Sequence, residues 1–487
     1  MNYKGLRRLA LGLTLALVLG RLPAGAAPST AALETHPCNV PPVGSVVCGL
    51  FAVHEDRSSE SGRLIGIRFL RYPAQKAGGD PVFFLAGGPG QASQPLVGMP
   101  GPLLRSLHRN HDLVFIDQRG TGASNPLRCH LFTSTQSYFL GSFPADNLRA
   151  CRKELAAEAD LNDYGTSNAA DDMDDIRAAL GYGKITIYGE SYGTQLGLVY
   201  VRLHPEHVTS VVLAGVDPPS AKGPLQTARA AQGALTELFS RCRLDTSCRR
   251  HFPHLAQEFT SVLQQFASGY HQVTVRDPHS HQLVHVQMSR MAFVDLIRHL
   301  LYSDDSLTLV PLLIDQASHD NFTGIGVINI FLSNLVQDHL AMGLLLSVVC
   351  SEEIPFISDA DISAHTNGTL YGPGGLAQLR AACAIWNVKP VSRDYLLPIQ
   401  SMIPTLMISG SADPATLPAD ATQMLKLMPN AKQLMIAGAP HEIEDPCIDK
   451  IVLAFISSGS ATDIDTRCSG HIEHPPFATS MPPMFSH

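Results

Sequence analysis

Short apolar runs and amphipathic helical patterns alternate along two separate parts of the chain. The helical patterns lie over residues 167–180, 194–203 and 448–456. Six apolar runs of four to seven residues predict buried strands at 81–85, 113–116, 185–188, 208–214, 404–408 and 432–436. Strands that alternate with helices in this way are typical of an α/β fold, in which a mostly parallel sheet is flanked by helices.

The alternation is lost between the fourth and the fifth predicted strand. Helical patterns dominate there, for example over 235–239 and 291–301. A βαβ unit needs only about 30 residues, so the surplus predicts a second structure inserted into the sheet. We therefore expect an α/β core in two parts, an inserted, mainly helical cap and an irregular tail. The predicted bounds are 28–220 and 401–457 for the core, 221–400 for the cap and 458–487 for the tail.

The first 27 residues (1–27) have the pattern of an export signal peptide. Lys4, Arg7 and Arg8 precede an apolar stretch over 9–20, and Ala-Gly-Ala at 24–26 is a typical cleavage site. The stretch of about 12 residues is too short to span a bilayer, and no later run is long enough, so no stable membrane insertion is expected. A buried N-terminal helix is the alternative interpretation. An exported chain would be periplasmic or secreted.

All ten cysteines follow this segment. An even number in an exported chain favours disulfides over free thiols, and without a C-x-x-C pair a zinc site has little support. The sequence leaves the connectivity open, and several buried free thiols are the alternative. Pairing of sequential neighbours is the simplest prediction: Cys38–Cys48, Cys129–Cys151, Cys242–Cys248, Cys350–Cys383 and Cys447–Cys468.

Composition and charge narrow the classes of function. The 487 residues are 45% hydrophobic and 16% charged, enough apolar material for a large core, which excludes a disordered or coiled-coil protein. The formal net charge is −8 and no run is rich in Lys and Arg, so nucleic acid is not expected as a partner. No sequence motif predicts a cofactor or a bound metal.

A G-x-S-x-G pattern marks a candidate nucleophile. Gly-Glu-Ser-Tyr-Gly over 189–193 directly follows the predicted strand 185–188 and directly precedes a helical pattern. The pattern alone is common, but in this position its glycines permit the sharp turn that exposes a nucleophilic serine at a helix N-terminus. We therefore predict that Ser191 is the nucleophile of a serine hydrolase.

A serine nucleophile needs a base to take its proton and a carboxylate to orient that base. In this architecture they follow in the order Ser, Asp, His. His441 lies in the loop after the last predicted strand, and Asp413 follows the strand 404–408. Asp217 is the alternative acid, because some hydrolases of this architecture place the carboxylate after the strand that follows the nucleophile. The sequence thus predicts a triad of Ser191, Asp413 and His441.

Acyl transfer also needs hydrogen-bond donors for the oxyanion that develops on the substrate carbonyl. Ala-Gly-Gly-Pro-Gly over 86–90 follows the first predicted strand, and its glycines allow the backbone to approach a substrate closely. A simple turn is the alternative interpretation of this segment. We predict an oxyanion hole built from the backbone of Gly87, Gly88 and Tyr192.

Several motifs together resemble the α/β-hydrolase family of proline iminopeptidases, and in particular its exported tripeptidyl aminopeptidase branch. They are GGPG at 87–90, DQRGTG at 117–122, GESYG at 189–193, and the segments of Asp413 and His441. The resemblance covers the core, at about 66–220 and 400–457. It implies a serine exopeptidase that removes residues from peptide N-termini, with a cap that shapes the site.

Two positions depart from the pattern of many iminopeptidases. Ala86 stands where many have His before GGPG, which is similar to the tripeptidyl branch, and Ala-Pro at 439–440 replaces the glycine usual before the catalytic His. These differences concern substrate details rather than the triad. The family places the segment that matches Asp117 and Arg119 next to the oxyanion loop, so we expect both residues to shape that loop.

The resemblance also includes Cys-Ser-Glu-Glu at 350–353 in the insertion. It implies that Glu352 holds the N-terminal ammonium of the substrate, while Glu353 assists or faces solvent. An aminopeptidase must tell a free ammonium from an amide, and carboxylates in a water-poor site do this best. Without the resemblance, two solvated acidic residues at the end of an apolar helix are the alternative.

These patterns predict an exported serine aminopeptidase that acts on peptides with a free N-terminus. An esterase or amidase of the same fold is the first alternative, because one triad can serve both kinds of bond. An inactive hydrolase fold that serves as a binding protein is the second, and the intact triad residues argue against it.

Overall fold

A nine-stranded sheet forms the core of the protein. The computed structural model describes residues 33–59, 61–76, 78–98, 101–277 and 280–482, and the predicted signal peptide lies outside them. The described residues form eleven strands: β1 (Leu33–Val40), β2 (Gly44–His54), β3 (Leu64–Tyr72), β4 (Val82–Leu85), β5 (Leu113–Ile116), β6 (Ile185–Glu190), β7 (Val208–Ala214), β8 (Tyr270–Arg276), β9 (Leu283–Ser289), β10 (Thr405–Gly410) and β11 (Ala431–Ile436). β8 and β9 form a separate hairpin, and the other nine lie in the order β1-β2-β3-β5-β4-β6-β7-β10-β11.

The six predicted strands are confirmed, each within two residues, as β4, β5, β6, β7, β10 and β11. They pair in parallel, and the register places Leu213 beside both Gly189 and Met407. Parallel strands bring their carboxyl ends to one edge of the sheet, which is where α/β proteins place their functional loops. The predicted α/β-hydrolase core is therefore correct.

The sheet is extended on one side by three antiparallel strands that the sequence did not predict. β3 pairs with β5, β2 with β3, and β1 with β2. β1 lies at the edge, and most of its side chains are exposed, so its apolar positions show no regular alternation. The periodicity that identifies a half-buried strand is therefore missing there.

Seventeen α-helices accompany the strands in the described residues, and none of them is long and apolar enough to cross a membrane. They are α1 (Gln94–Val97), α2 (Pro102–Leu107), α3 (Ala145–Glu158), α4 (Thr166–Ala179), α5 (Tyr192–Leu203), α6 (Gly223–Leu244), α7 (Thr246–His251), α8 (Leu255–Gln265), α9 (Arg290–Leu300), α10 (Asp304–Leu307), α11 (Val310–Ser318), α12 (Thr323–His339), α13 (Met342–Glu352), α14 (Asp359–Thr366), α15 (Gly374–Trp386), α16 (Pro418–Met424) and α17 (Pro446–Ser458).

Helices cover both faces of the sheet. Successive side chains of a strand point to opposite faces, so Phe83 packs in the cluster with α4 and α5, whereas Phe84 packs with α2 and α17. The second cluster includes Leu107 and Phe455. This sandwich fixes the position of α5, whose first turn follows the candidate nucleophile.

The segment between β7 and β10 contains ten helices, α6 to α15, and the β8–β9 hairpin. Its apolar side chains form a core of their own, for example Leu235, Phe259 and Phe293. Phe139, before α3, and Phe477, in the tail, are buried in the same cluster. We call this segment the cap, and the chain reaches it from the α/β core at several points.

All five predicted disulfides are confirmed, and no described cysteine is free. Cys38–Cys48 links the β1–β2 hairpin, and Cys350–Cys383 links α13 to α15. Cys447–Cys468 ties the tail to the start of α17. Because each bridge closes a loop, it restricts the unfolded chain and stabilises the fold.

Candidate active site

Ser191 occupies a sharp turn between β6 and α5. Its backbone has φ +54° and ψ −126°, a conformation that non-glycine residues rarely adopt. The two glycines of the motif are required by close packing: a Cβ on Gly189 would lie 2.4 Å from the Gly193 carbonyl oxygen, and one on Gly193 would lie 2.2 Å from the Leu85 oxygen. The chain can therefore turn tightly enough to present the serine at the helix N-terminus.

Asp413 and His441 are joined by a short hydrogen bond. His441 Nδ1 lies 2.7 Å from Asp413 Oδ2, and both side chains are buried. Asp413 is held in place by donors from the turn that follows it: the N–H groups of Ala415 and Thr416 reach Oδ1 at 2.7 and 2.9 Å, and the Thr416 hydroxyl reaches Oδ2 at 2.7 Å. These hydrogen bonds orient the carboxylate independently of its contact with the imidazole.

The carboxyl end of β7 brings Ser191 and His441 to the same place. The Ser191 N–H donates to the Ala214 carbonyl at 2.8 Å. The next residue, Gly215, lies so close to the imidazole that a Cβ there would be 2.7 Å from His441 Cε1. The three predicted triad residues therefore gather at one edge of the sheet.

Burial disfavours the charged imidazolium of His441, but the charge and the hydrogen bond of Asp413 outweigh it and raise the pKa of His441 above its usual value. In turn, His441 and the hydrogen bonds from Thr416 lower the pKa of Asp413 in spite of burial. An ionised Asp413 favours a proton on Nδ1 and leaves Nε2 free to act as a base.

We expect activity to fall at acid pH with a midpoint above about 6.5, the ordinary pKa of histidine. Only neutral His441 can take the Ser191 proton, so lowering the pH through the raised pKa removes the base. A pH profile of kcat/KM on an uncharged ester measures this midpoint. The residual activity of Asp413→Asn should show a lower midpoint, because its side chain no longer favours the imidazolium; an unchanged midpoint would contradict the assignment of Asp413.

The predicted oxyanion segments lie against the nucleophile. A Cβ on Gly87 would be 2.9 Å from Ser191 Cβ, so this backbone approaches the serine directly. Gly88 has φ +110°, a conformation that favours glycine. Tyr192 is the first residue of α5, where N–H groups have no partner inside the helix. The two segments predicted to form the oxyanion hole therefore lie next to Ser191.

Asp117 and Arg119 were both expected to shape the oxyanion loop at 86–90, but only Asp117 contacts the segment that follows this loop. Asp117 accepts hydrogen bonds from the backbone and side-chain nitrogens of Gln94, at 3.0 and 2.9 Å. Arg119 is fully buried and instead makes a two-pronged ion pair with Asp172 of α4, with both bonds at 2.7 Å. Arg119 therefore joins this loop to α4.

Asp217, the alternative acid, lies near the same end of β7. Its N–H donates to the Thr194 hydroxyl at 2.8 Å, and that hydroxyl donates to the Ser191 carbonyl at 2.6 Å. The hydrogen bond to His441 Nδ1 is made by Asp413 and not by Asp217. The Asp217 carboxylate faces Gly223, where a Cβ would lie 3.1 Å from its Oδ2.

Glu352 is buried, and its carboxylate accepts four hydrogen bonds from neighbouring residues. The Thr166 N–H reaches its Oε1 at 2.6 Å, and the hydroxyls of Thr166 and Tyr395 reach Oε2 at 2.7 and 2.6 Å. Gln195, on α5, adds a fourth bond at 3.1 Å. Glu352 thus connects the end of α13 to the starts of α4 and α5, with three of its four hydrogen bonds at Oε2 and one at Oε1.

Glu353 is buried like its neighbour but differs from it in hydrogen bonding. It is 4% exposed, so it does not face solvent, and its Oε2 has no hydrogen-bond partner among the described residues. A Cβ on Gly223 would lie 3.5 Å from this oxygen, so the carboxylates of Glu353 and Asp217 meet at the same glycine. Burial, and then the charge of Asp217, raise the pKa of Glu353 well above its usual range.

One group of described side chains has the spacing of metal ligands: Asp174, His204 and His207. Arg177 donates to both Asp174 oxygens, at 2.7 and 3.1 Å, and the Tyr200 hydroxyl adds a bond at 2.8 Å. These donors already satisfy the carboxylate. The group also lies at the far end of α5 from Ser191, about 18 Å away along a 12-residue helix.

Comparison with known proteins agrees with this geometry. The family model described as alpha/beta hydrolase fold matches residues 80–289, and the one described as TAP-like protein matches 371–468. The serine protease Hip1 of Mycobacterium tuberculosis is 26% identical over 480 residues, which cover 87% of this chain and 88% of that protein. These matches support the α/β-hydrolase family of peptidases for this chain, in agreement with its fold.

Two further members of this family match shorter stretches. The proline iminopeptidase of Neisseria gonorrhoeae is 32% identical over 139 residues, 28% of this chain and 33% of that protein. The tripeptidyl aminopeptidase of Streptomyces lividans is 37% identical over 123 residues, 23% of each chain. The protein is therefore an enzyme, a serine hydrolase of the peptidase type.

Sequence reasoning missed two residues near the site of this hydrolase. Thr416 follows Asp413 by three residues, and the preference of Asp for turns in which its side chain accepts nearby N–H groups could have suggested the contact. Tyr302 carried no signal, because it comes from the cap; its ring centroid lies 5.0 Å from that of His441.

Proposed function

We propose that this hydrolase is an exported serine aminopeptidase, which cleaves peptides near a free N-terminus through an acyl-enzyme on Ser191. The observation that carries the proposal is the buried, unpartnered oxygen of Glu353, which meets Asp217 beside the triad. Five disulfides support export, because such bonds persist in oxidising compartments.

In the proposed reaction, Ser191 Oγ attacks the carbonyl carbon of the scissile bond while His441 takes its proton. The carbonyl oxygen becomes an oxyanion, which accepts hydrogen bonds from the backbone of Gly87, Gly88 and Tyr192. The C–N bond then breaks, and the leaving amine takes the proton from His441. Water, deprotonated by His441, attacks the resulting ester; the bond from the acyl carbon to Ser191 Oγ breaks, Oγ takes the proton back from His441, and the N-terminal fragment leaves as a carboxylic acid.

The acidic pair Asp217–Glu353 is suited to the N-terminal ammonium of the peptide. A buried carboxylate oxygen without a donor is costly, and an ammonium supplies both the donor and the opposite charge. Glu352 has less need of such a donor, because its oxygens already accept four hydrogen bonds from the protein. We therefore propose Glu353, assisted by Asp217, as the ammonium anchor in place of Glu352.

Glu353→Gln is expected to lower kcat/KM for a peptide with a free N-terminus. The loss should correspond to about 2–5 kcal/mol of activation free energy, the typical cost of leaving one member of a buried charge pair alone. The same variant should hardly change kcat/KM for the acetylated peptide or for a simple ester, since neither carries the ammonium. Steady-state kinetics on matched free and acetylated substrates measure the difference.

Glu352→Gln is the matched control, because it removes one negative charge at the adjacent residue. Its expected effect is a lower melting temperature, with similar changes for free and blocked substrates, since it loosens contacts to Thr166, Gln195 and Tyr395. A selective loss on free substrates in Glu352→Gln, and none in Glu353→Gln, would return the anchor role to Glu352.

A substrate panel tests the proposed function. We would assay chromogenic peptides of one, two and three residues, each with a free and an acetylated N-terminus, together with simple esters. Efficient release from the free peptides and poor release from the acetylated ones is the expected result, and the best length gives the number of residues removed. Rapid ester hydrolysis without peptide cleavage would favour the esterase or amidase alternative.

A further inference from the structure

The loop that carries His441 rests against the end of a cap helix. Tyr302 follows α9, and its ring meets the His441 ring edge to face, with 5.0 Å between centroids and 67° between planes. The backbone joins as well: the Glu442 N–H donates to the Tyr302 carbonyl at 2.8 Å, and Ser303 forms a β-bridge with Glu442. The contact between cap and catalytic loop thus involves main chain and side chain together.

Tyr302 is itself fixed by a polar network inside the cap. Arg298, one turn earlier on α9, donates to the Tyr302 hydroxyl, and its guanidinium lies 5.1 Å from the centre of the Tyr302 ring. Arg298 also donates to the Tyr371 hydroxyl at 2.8 Å, which donates in turn to Asp295 at 2.6 Å. Because Arg298 contacts both the hydroxyl and the face of the Tyr302 ring, this ring has little freedom to rotate.

A second link joins the same cap segment to the catalytic loop through the tail. His474 Nδ1 lies 2.9 Å from Asp304 Oδ1, and its Nε2 lies 3.2 Å from the Ala437 carbonyl oxygen. Both partners are acceptors, so the ring makes both bonds when both nitrogens carry a proton. The hydrogen bond that His474 donates to Asp304 raises the pKa of His474, which favours that form.

We propose that Tyr302 is a positioning residue for His441. The last torsion of a histidine side chain is broad, so the single hydrogen bond at Nδ1 leaves the imidazole free to swing unless packing restrains it. Gly215 lies against one edge of the ring and Tyr302 against another. The cap would thus hold the base in line between Asp413 and Ser191, beyond any part it has in binding a peptide.

Labelling of Ser191 by a fluorophosphonate tests this role without a peptide, so its outcome is independent of the proposed substrate. In this reaction Ser191 Oγ bonds to phosphorus, fluoride leaves and His441 accepts the proton. Tyr302→Leu should label about 10- to 100-fold more slowly, the usual penalty for a misplaced catalytic group. Tyr302→Phe keeps the ring and should label at nearly the wild-type rate. The acid limb of the Tyr302→Leu rate should move to lower pH, because a weaker bond to Asp413 favours the imidazolium less.

Tyr371→Leu is the control, because Tyr371 belongs to the same network and binds Arg298 and Asp295. At temperatures where the protein is folded it should slow labelling far less than Tyr302→Leu does, because Arg298 still contacts the hydroxyl and the ring of Tyr302. Tyr302→Met is made as well, since the flexible methionine fills much of the lost volume if the leucine variant does not fold; it should label slowly too. Wild-type labelling by folded Tyr302→Leu or Tyr302→Met, or equal slowing by Tyr371→Leu, would overturn the proposal.

Discussion

Ser191→Ala is expected to lower kcat by a factor on the order of 10⁴ to 10⁶, because the variant has no atom with which to form the acyl-enzyme. His441→Ala should cost a comparable factor, since the members of a triad act as a unit and an unactivated serine is a poor nucleophile. Steady-state hydrolysis of the best chromogenic substrate measures both losses.

The fold of Ser191→Ala should be intact, because the residue lies on a turn at the end of β6 and alanine accepts the same backbone there. Matched thermal unfolding curves for variant and wild type provide the control. If a correctly folded Ser191→Ala protein keeps near-normal turnover, Ser191 is not the nucleophile.

Asp413→Asn is expected to reduce kcat by about 10⁴, the loss typical of an amide that stabilises the wrong tautomer of the catalytic histidine. In the structure, Asp413 Oδ2 makes the 2.7 Å contact to His441 Nδ1. Asp217→Asn should leave ester hydrolysis nearly unchanged and weaken only the cleavage of peptides with a free N-terminus, because Asp217 meets Glu353 at Gly223 while the hydrogen bond to His441 Nδ1 is made by Asp413.

The two aspartate variants therefore separate the two roles when they are assayed on one ester and one free peptide. A severe loss of ester hydrolysis in Asp217→Asn, with a mild loss in Asp413→Asn, would reverse the assignment. Asp217 lies near the end of β7 and Asp413 near the end of β10. An exchange of their two roles is therefore a real alternative, which the hydrogen bond between Asp413 and His441 disfavours.

Much of the α/β core could be predicted because its strands are short and buried on both faces. Runs such as 113–116 contain no polar residue, which makes their bounds accurate to one or two residues. β1 could not be found in this way, since an exposed edge strand needs no apolar alternation. Its place is set by pairing with β2 and by the Cys38–Cys48 bridge.

In the candidate site, too, features set by local sequence could be predicted and features set by tertiary packing could not. The sharp turn at Ser191 was predictable because it is a local feature that glycines at two fixed positions permit. The choice between Glu352 and Glu353 was not, because adjacent residues at a helix end point in different directions and only tertiary packing decides which one meets donors. Tyr302 likewise acquires its contact with His441 only when the cap folds onto the sheet.

Cleavage from a free N-terminus is tested most directly by mass spectrometry of the products from one unlabelled peptide, supplied with either a free or an acetylated N-terminus. The wild-type enzyme should release a short N-terminal fragment from the free peptide and leave the acetylated peptide uncut, and Ser191→Ala should cut neither. Equal cleavage of both peptides, or cuts confined to the interior of the chain, would contradict the assignment as an aminopeptidase.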